Sequence, residues 1–322
     1  MKLIAAIPIL LAAAALWAPQ AVIAQTWPAK PVRMVITFPP GGPSEIVTRL
    51  VSERLQANLH QPFVIENRAG AGGNVGADAV ARSAPDGHTF GITTDTLFTV
   101  NPHVYRRMPL DVWTDLVPVT LLGSFSQMMV CNPSVAVKSL RELLELAKRQ
   151  QLSYASGGAG VPGHLAAELL LSSTGTSMLH VPYKGPAAAA TDVMGGQVNC
   201  GFLATPTMLP HVKSGKLTAL AVSTAKRSPL APDVPTAAEA GVADFDAPFY
   251  LVLFAPKGTP QGIVGTVSRE FAAGLAAPEV RERAAALDVV TLGGTPEDAT
   301  RTLKEAAAKW APVVQRIGLK LD

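Results

Sequence analysis

The hydrophobic positions of this chain fall into two kinds of segment that follow each other in turn. Short apolar runs such as Val32 to Thr37 are typical of buried strands. The segment from Glu45 to Leu59 differs, because its apolar residues recur every three or four positions, as on one face of a helix. Strands that alternate with helices in this way predict an α/β fold with largely parallel sheets.

The same pattern predicts elements along the whole of residues 25–322, and the second half repeats the scheme of the first. The predicted strands are Val32 to Thr37, Phe63 to Glu66, Thr89 to Thr94, Val117 to Leu122, Gln127 to Cys131, Leu152 to Ser156, Met178 to Val181, Val198 to Leu203, Leu217 to Val222 and Tyr250 to Ala255. The predicted helices are Glu45 to Leu59, a small-residue helix through Ala81, one that follows Ser139 and ends near Gln150, His164 to Leu171, Pro186 to Met194, Pro260 to Ala276, Pro278 to Leu287 and Pro296 to Ile317.

The order of these elements predicts two lobes that exchange strands. Val117 to Leu122 and Gln127 to Cys131 are consecutive extended segments, which suits a crossover from one lobe to the other. Tyr250 to Ala255 is strongly apolar and would bring the chain back. Since no low-complexity linker divides the halves, we expect lobe 1 to comprise residues 25–123 and 247–322, and lobe 2 residues 124–246.

The first 24 residues have the pattern of a cleaved signal peptide. Lys2 supplies the positive charge, Leu3 to Trp17 the apolar region, and Val22 to Ala24 the small-residue cleavage site. A membrane anchor is the alternative, but two prolines interrupt the segment and no positively charged stop follows it. We therefore predict export with cleavage after Ala24.

Composition excludes several classes of partner. The chain has 322 residues, of which 48% are hydrophobic and 16% charged, so a sizeable core is expected. Removing residues 1–24 leaves 26 basic against 24 acidic groups, which is too balanced for a protein that binds nucleic acid or anionic membranes. An oxidising compartment would permit a disulfide between Cys131 and Cys200, but both lie in apolar strand-like runs. We therefore expect two buried free thiols.

Two glycine-rich turns stand where a strand should lead into a helix. They run from Phe38 to Ser44 and from Ser156 to Gly163. A helix N-terminus presents unpaired N–H groups and a partial positive charge, so each turn is a candidate anion site. Neither turn contains Lys or Arg, which suggests a molecule that grips an anion from two sides with backbone groups. The alternative is that both are ordinary loops.

Motifs for catalysis and cofactors are incomplete. Gly158 to Gly163 matches G-x-G-x-x-G, but the next strand ends without an acid and Pro162 lacks the N–H that a pyrophosphate would need. Ser223 to Lys226 matches S-x-x-K without its companion motifs. The six histidines have no metal-ligand spacing, and His164 is interpreted as a neutral hydrogen-bond donor or a packed residue. We predict no cofactor, no metal and no nucleophile with its base.

A series of short motifs runs through the chain in a specific order. They are Trp27-Pro28, Lys30 to Arg33, Phe38 to Gly42, Glu66 to Arg68, Gly70 to Gly73, Ala84 to Gly87, Asn101-Pro102, His164-Leu165, His180 to Tyr183, Gly195 to Val198, Pro235-Thr236 and Glu239 to Gly241. In this order and spacing the chain resembles the Bug-type extracytoplasmic solute receptors of tripartite tricarboxylate transporters. Glu45 departs from the usual Asp, and the segment at Leu203 to Thr205 is less polar than is common in the family.

The resemblance implies a two-lobed periplasmic binding protein with two mixed sheets flanked by helices and strand crossovers between the lobes. Such a receptor, expected here to be a monomer, closes on a small carboxylate and delivers it to a membrane permease, without catalysis. The family's loop that matches Pro39 to Ser44 holds one carboxylate through N–H groups, often through ordered waters. The region that matches Ser156 to His164 serves the other lobe.

Hydroxyl groups, amides and aromatic surface near these turns suit an anion with a flat or apolar body. The resemblance is to receptors for aromatic dicarboxylates such as terephthalate, with linear dicarboxylates open and a periplasmic hydrolase as the alternative from another class. The candidate ligand-binding residues are Phe38, Pro40, Gly41, Gly42, Ser44, Thr94, Asp95, Ser156, Gly158, Gly160, His164, Tyr183, Phe202 and Thr205.

Overall fold

The computed structural model describes residues 27–321, so the predicted signal peptide at residues 1–24 lies outside the described residues. The first sheet has the strand order β11-β4-β10-β3-β1-β2. Its strands are β1 (Val32–Ile36), β2 (Phe63–Asn67), β3 (Thr89–Thr94), β4 (Leu116–Phe125), β10 (Phe249–Pro256) and β11 (Val289–Gly293). β1, β2 and β3 run parallel, whereas β10 and β11 pair antiparallel to their neighbours.

The second sheet is built in the same way and has the order β7-β6-β8-β5-β9. Its strands are β5 (Gln127–Cys131), β6 (Ser153–Ser156), β7 (Leu179–Pro182), β8 (Cys200–Ala204) and β9 (Thr218–Val222). β6 lies between two parallel neighbours, β7 and β8, and β5 pairs antiparallel with β8 and β9. A single residue, Ser126, separates β4 from β5, so the chain passes from one sheet to the other there.

Helices pack against both sheets, and they are numbered here in chain order. They are α1 (Pro43–Leu59), α2 (Asn74–Ala81), α3 (Thr96–Thr99), α4 (Asn101–Val104), α5 (Leu140–Ala147), α6 (Pro162–Thr174), α7 (Pro186–Met194), α8 (Thr205–Lys213), α9 (Gln261–Ala276), α10 (Pro278–Ala285) and α11 (Pro296–Ile317). Within residues 27–321, no helix has the length and apolar character needed to cross a membrane. The predicted fold class, two mixed sheets with flanking helices in a two-lobed binding protein, is confirmed.

The last helix packs against both halves of the molecule. In its first half, Ala299 and Leu303 are buried together with Val252 and Phe254 of β10. Its second half, represented by Trp310, contributes to the large cluster that surrounds the second sheet. The hydrophobic cores of the two sheets are therefore connected through one continuous helix.

Most predicted elements coincide with observed ones, and α7 and α11 agree to the residue. The start of α11 is capped, since Thr295 and Asp298 bond reciprocally to each other's backbone N–H. The short strand β11 and the helix α8 were not predicted. α8 contains two prolines and β11 only five residues, so neither has a strong periodic pattern.

The prediction of two free thiols is wrong. Cys131 and Cys200 are fully buried as expected, but their sulfur atoms are bonded to each other. The two residues stand directly opposite in the antiparallel pair β5 and β8, with Cα atoms 3.9 Å apart. Sequence patterns place each cysteine in a strand, but do not state that the two strands are neighbours.

Candidate ligand-binding site

The first glycine-rich turn connects the C-terminal end of β1 to α1. Gly41 has a φ of 87°, a conformation that favours glycine, whereas Gly42 has a φ of −83° and is the N-cap residue of the helix. Pro43 occupies the first helical position and Ser44, which is buried, the second. This geometry directs the free N–H groups of a helix N-terminus toward the turn.

One N–H group of this turn already has an anionic partner. Gly41 N–H donates to Glu45 Oε2 at 3.0 Å, and Arg49 pairs with the same carboxylate at 2.8 Å. The hydrogen bonds from Arg49 and from Gly41 N–H lower the pKa of Glu45. A ligand carboxylate at this turn therefore competes with an ionised side chain, whose charge Arg49 offsets.

The second turn has the same local geometry. Gly160 has a φ of 74°, and Val161 is an extended N-cap residue ahead of Pro162 at the first helical position. Gly160 N–H donates to His164 Nδ1 at 3.0 Å, so the acceptor again lies four residues later and in the first turn of a helix. The two turns are therefore equivalent in backbone but differ in charge, because one acceptor is a carboxylate and the other an imidazole.

Their positions in the two sheets are equivalent as well. β1 lies between β2 and β3, and β6 lies between β7 and β8, so the chain leaves each central strand to one side and later returns on the other. Such a switch in strand order opens a crevice at the C-terminal end of the central strand, where ligands of α/β proteins bind. Each glycine turn follows one of these central strands.

Three stacked rings support the second turn. His164 and His180 lie parallel with ring centroids 3.9 Å apart, and Tyr154 stacks on the other face of His180 at 4.9 Å. Burial lowers the pKa of His164 to about 3 and that of His180 to about 4, so both rings are neutral at physiological pH. Of the two interpretations of His164, a hydrogen-bond donor or a packed residue, the structure shows packing, and its Nδ1 accepts a hydrogen bond.

The hydroxyl of Ser156 is bonded within this cluster. It donates to Gly158 O at 2.8 Å, and Gly158 N–H donates back to it at 3.2 Å. Because this donation uses the only hydroxyl proton, His180 Nε2, 2.7 Å away, is the donor in its contact with Ser156. Ser156 therefore shapes the turn from inside.

Asp95 directly follows β3 and is hydrogen-bonded to β10, the strand by which the chain returns to the first sheet. Its Oδ1 accepts the N–H of Tyr250 at 3.0 Å, and its own N–H donates to the carbonyl of Tyr250 at 2.9 Å. Burial raises the pKa of Asp95 to about 7. No described residue bonds its Oδ2. Asp95 thus fastens β10 to the end of β3.

A third glycine turn adjoins the first one. Gly70, Ala71, Gly72 and Gly73 all have positive φ. A Cβ on Gly73 would lie 3.1 Å from Oγ1 of Thr37, the last residue before the first turn. The glycine run was visible in the sequence, but its role was not, because its approach to Thr37 depends on the pairing of β1 with β2.

Tyr105 and the C-terminal segment connect the third turn to the second. A Cβ on Gly72 would lie 2.9 Å from the hydroxyl of Tyr105. Tyr105 forms a β-bridge with Leu321, and a Cβ on Gly160 would lie 3.3 Å from Leu319 Cδ2. The turns of both sheets are therefore connected by a short series of contacts.

Comparison with known proteins places this arrangement in a family. Residues 47–319 match TctC, described as "Tripartite tricarboxylate transporter family receptor". The chain belongs to this family. Its receptors are periplasmic, bind small carboxylates and work with a membrane component of a transporter.

Three relatives of the receptor cover nearly the whole chain. It is 36% identical to Protein BugT of Bordetella pertussis, over 99% of this chain and 98% of that one. The structure of R. palustris Rpa4515 with adipate has 34% identity and a TM-score of 0.82, covering 91% of this chain and 99% of that one. MatC from Rhodopseudomonas palustris with bound malate has 29% identity and a TM-score of 0.77, covering 89% and 100%.

The receptor exposes some candidate residues and buries others. Those at least partly exposed are Phe38, Pro40, Gly41, Gly42, Gly158, Gly160 and Tyr183, and those buried are Ser44, Thr94, Asp95, Ser156, His164, Phe202 and Thr205. Phe202 packs in the core of the second lobe, and the hydroxyl of Thr205 contacts that of Ser126 at 2.6 Å. The Tyr183 hydroxyl donates to Asp192, and burial raises its pKa to about 12.

Other features of the receptor do not compete with this location. A cavity of about 740 Å³ in the first lobe is lined by Lys257, Arg269 and Glu297 among others, and by no residue of the three turns. Among residues 27–321, no group of three or more His, Cys, Asp or Glu side chains is arranged to hold a metal ion.

Proposed function

We propose that this protein is a periplasmic receptor that captures a small dicarboxylate for a tripartite tricarboxylate transporter, without transforming it. The observation that carries the proposal is the equivalence of the two glycine turns, each at the switch point of its own sheet. Two equivalent candidate anion sites, one in each sheet, suit a ligand with a carboxylate at each end. Export with cleavage after Ala24, a monomeric state, and lobes comprising 25–123 with 247–322, and 124–246, belong to the same proposal.

Backbone N–H groups and hydroxyls would hold the ligand, because neither turn contains Lys or Arg. Hydrogen bonds to a charged group contribute roughly 1.5–3 kcal/mol each, so a few of them suffice for micromolar binding. Buried residues such as Ser156 would act by shaping the turns, and ordered water can replace a direct contact at little cost.

Terephthalate is the first candidate ligand, and a linear dicarboxylate is the alternative. The aromatic candidate rests on the sequence resemblance and on the partly exposed Phe38 beside the first turn. The linear candidate is supported by the two relatives solved with adipate and with malate.

A hydrolase is a second candidate, because Ser156 Oγ and His180 Nε2 are 2.7 Å apart. A general base works best with a pKa near the operating pH, whereas burial lowers that of His180 to about 4. Ser156 is also fully buried. The pair therefore supports a structural role better than nucleophilic attack.

The test is calorimetric titration with terephthalate, benzoate, adipate and malate, combined with Gly42→Val. No atom lies within 4 Å of a Cβ at Gly42, and its φ suits any residue, so this variant should fold normally. Its side chain would fill the space in front of the first turn and should weaken dicarboxylate binding by tenfold or more, on the order of 1.4 kcal/mol. Gly262→Val in α9, also in open space, is the matched control.

The outcomes separate the alternatives. Equal affinity for benzoate and terephthalate would contradict a two-ended site, and preference for adipate or malate would favour the linear ligand. Unchanged binding by Gly42→Val would place the ligand elsewhere. Consumption of an ester substrate that is lost in Ser156→Ala would establish the hydrolase instead.

A further inference from the structure

A buried carboxylate connects the two lobes at the point where the chain crosses between them. Asp288 precedes β11 of the first sheet and is 2% exposed. Its Oδ2 accepts the N–H of Ser126 at 3.0 Å and the hydroxyl of Ser126 at 2.5 Å. Its Oδ1 accepts the hydroxyl of Ser228, in the loop that follows β9 of the second sheet.

Each partner of Asp288 has a definite place relative to the hinge. Ser126 is the residue between β4 and β5, so it belongs to the crossing strand itself. Ser228 moves with the second sheet, whereas Asp288 moves with the first. A rotation of one lobe against the other would therefore change the distance between Asp288 and Ser228.

The network also fixes the direction of a hydroxyl that the sequence had assigned to the ligand. Because Ser126 donates its proton to Asp288, Thr205 must be the donor in the 2.6 Å contact between the two hydroxyls. The proton of Thr205 therefore points to the hinge and is not available to a ligand carboxylate. Thr205, at the start of α8, is bound into the same network as the crossing strand.

The conformation of Asp288 is consistent with a role beyond packing. Its φ is 60°, in the left-handed region that is uncommon for residues other than glycine, although Asn and Asp tolerate it. Such a residue persists where its surroundings over-determine it, and the network formed with Ser126, Ser228 and Thr205 provides that constraint here. Lys226 and Asp246 line the adjoining cavity, of about 290 Å³, at the back of the hinge.

We propose that Asp288 is a positioning residue that latches the two lobes through Ser126 and Ser228, and so sets how far the ligand-free receptor opens. This inference rests on the proposed function only in assuming that the lobes move against each other when ligand binds. A receptor that loses the latch samples a wider range of interlobe angles, and its apparent affinity changes with the fraction that is competent to bind.

The test compares Asp288→Asn and Ser228→Ala with the parent protein. Asn tolerates a positive φ, so the first variant removes the carboxylate without straining the backbone. The second removes only the hydroxyl of the other lobe. The interlobe distance is measured by double electron–electron resonance between nitroxide labels at Arg82→Cys and Lys148→Cys. Both positions are exposed and lie at the ends of helices in different lobes.

We expect both variants to give a broader distance distribution without ligand, and an affinity for adipate and terephthalate that differs from that of the parent by about three- to thirtyfold. Asp298→Asn is the matched control, because that carboxylate also accepts an N–H and a hydroxyl, both from Thr295 within one helix cap. It should leave the distance unchanged even if it lowers the melting temperature.

An unchanged distance distribution in folded Ser228→Ala would overturn the latch, and this variant decides the matter if Asp288→Asn fails to fold. The ligand-free distance does not depend on which acid is bound. If the parent protein binds neither probe, the proposed ligand class fails while the latch is still judged by the distances.

Discussion

Two histidines in the second lobe illustrate how much of the site is assembled from neutral groups. His164 accepts an N–H from the turn and His180 contacts Ser156, and both rings are buried within one stack. A protonated His164 could not accept from Gly160, so the turn keeps its shape only while the ring is neutral. The geometry of the second turn therefore depends on the protonation state of His164.

The lowered pKa of His164 predicts a loss of stability in acid. An unfolded histidine binds a proton below about pH 6.5, whereas burial lowers the pKa of His164 to about 3, so unfolding takes up a proton between these values. His164 therefore does not reduce the free energy of unfolding above pH 6.5, but reduces it progressively as the pH decreases from 6.5 toward 3. His164→Phe should reduce the slope of unfolding free energy against pH by up to about 1.4 kcal/mol per pH unit between pH 6 and 4.

Chemical unfolding at several pH values would measure that slope. Tyr154→Phe, at the other end of the same stack, is the control, since burial and the neighbouring Glu168 carboxylate raise the pKa of the phenol and it does not titrate in this range. A His164→Phe protein with the parent slope would contradict the assignment.

At the scale of elements, the disulfide clamps two strands that are distant in sequence. Cys131 and Cys200 are 69 residues apart, and the loop they close contains α5, β6, α6, β7 and α7. A cross-link of that span reduces the entropy of the unfolded chain and is expected to contribute roughly 4 kcal/mol. Cys131→Ala with Cys200→Ala should lower the free energy of unfolding by about that amount, as measured in urea.

The parent protein treated with a reductant after unfolding provides the control, and should lose the same stability as the double variant. Equal unfolding curves with and without reductant would contradict the linkage, as would two titratable thiols in the unfolded, unreduced chain.

The disulfide also marks the limit of what the sequence could predict at this scale. Period and capping signals locate α11 to the residue, because its amphipathic pattern and Thr295 cap are local properties. The neighbour of each strand is not a local property, so the Cys131–Cys200 bond was missed. The same limit applies to the site: glycine and proline identified both turns, but the burial of Phe202 and Thr205 depends on how sheets and helices pack.

At the scale of the molecule, the two lobes share more than the crossing strands. The cluster around the second sheet includes Val100 and Val104, which follow β3 of the first sheet, and Phe249 at the start of β10. Trp310 of α11 stacks on Phe249 with ring centroids 5.2 Å apart. The closure proposed for this receptor would therefore have to keep these residues in contact.

The shared cluster predicts that the lobes unfold together. Scanning calorimetry of the parent protein should give one transition, with equal calorimetric and van't Hoff enthalpies. Trp310→Ala removes a side chain that is 1% exposed and should cost about 3–5 kcal/mol. Because that loss falls on the contact between the lobes, it should split the transition into two.

Phe271→Ala, equally buried but confined to the core of the first sheet, is the control and should lower the melting temperature of a single transition. Two transitions in the parent, or one in Trp310→Ala, would mean that α11 does not couple the lobes.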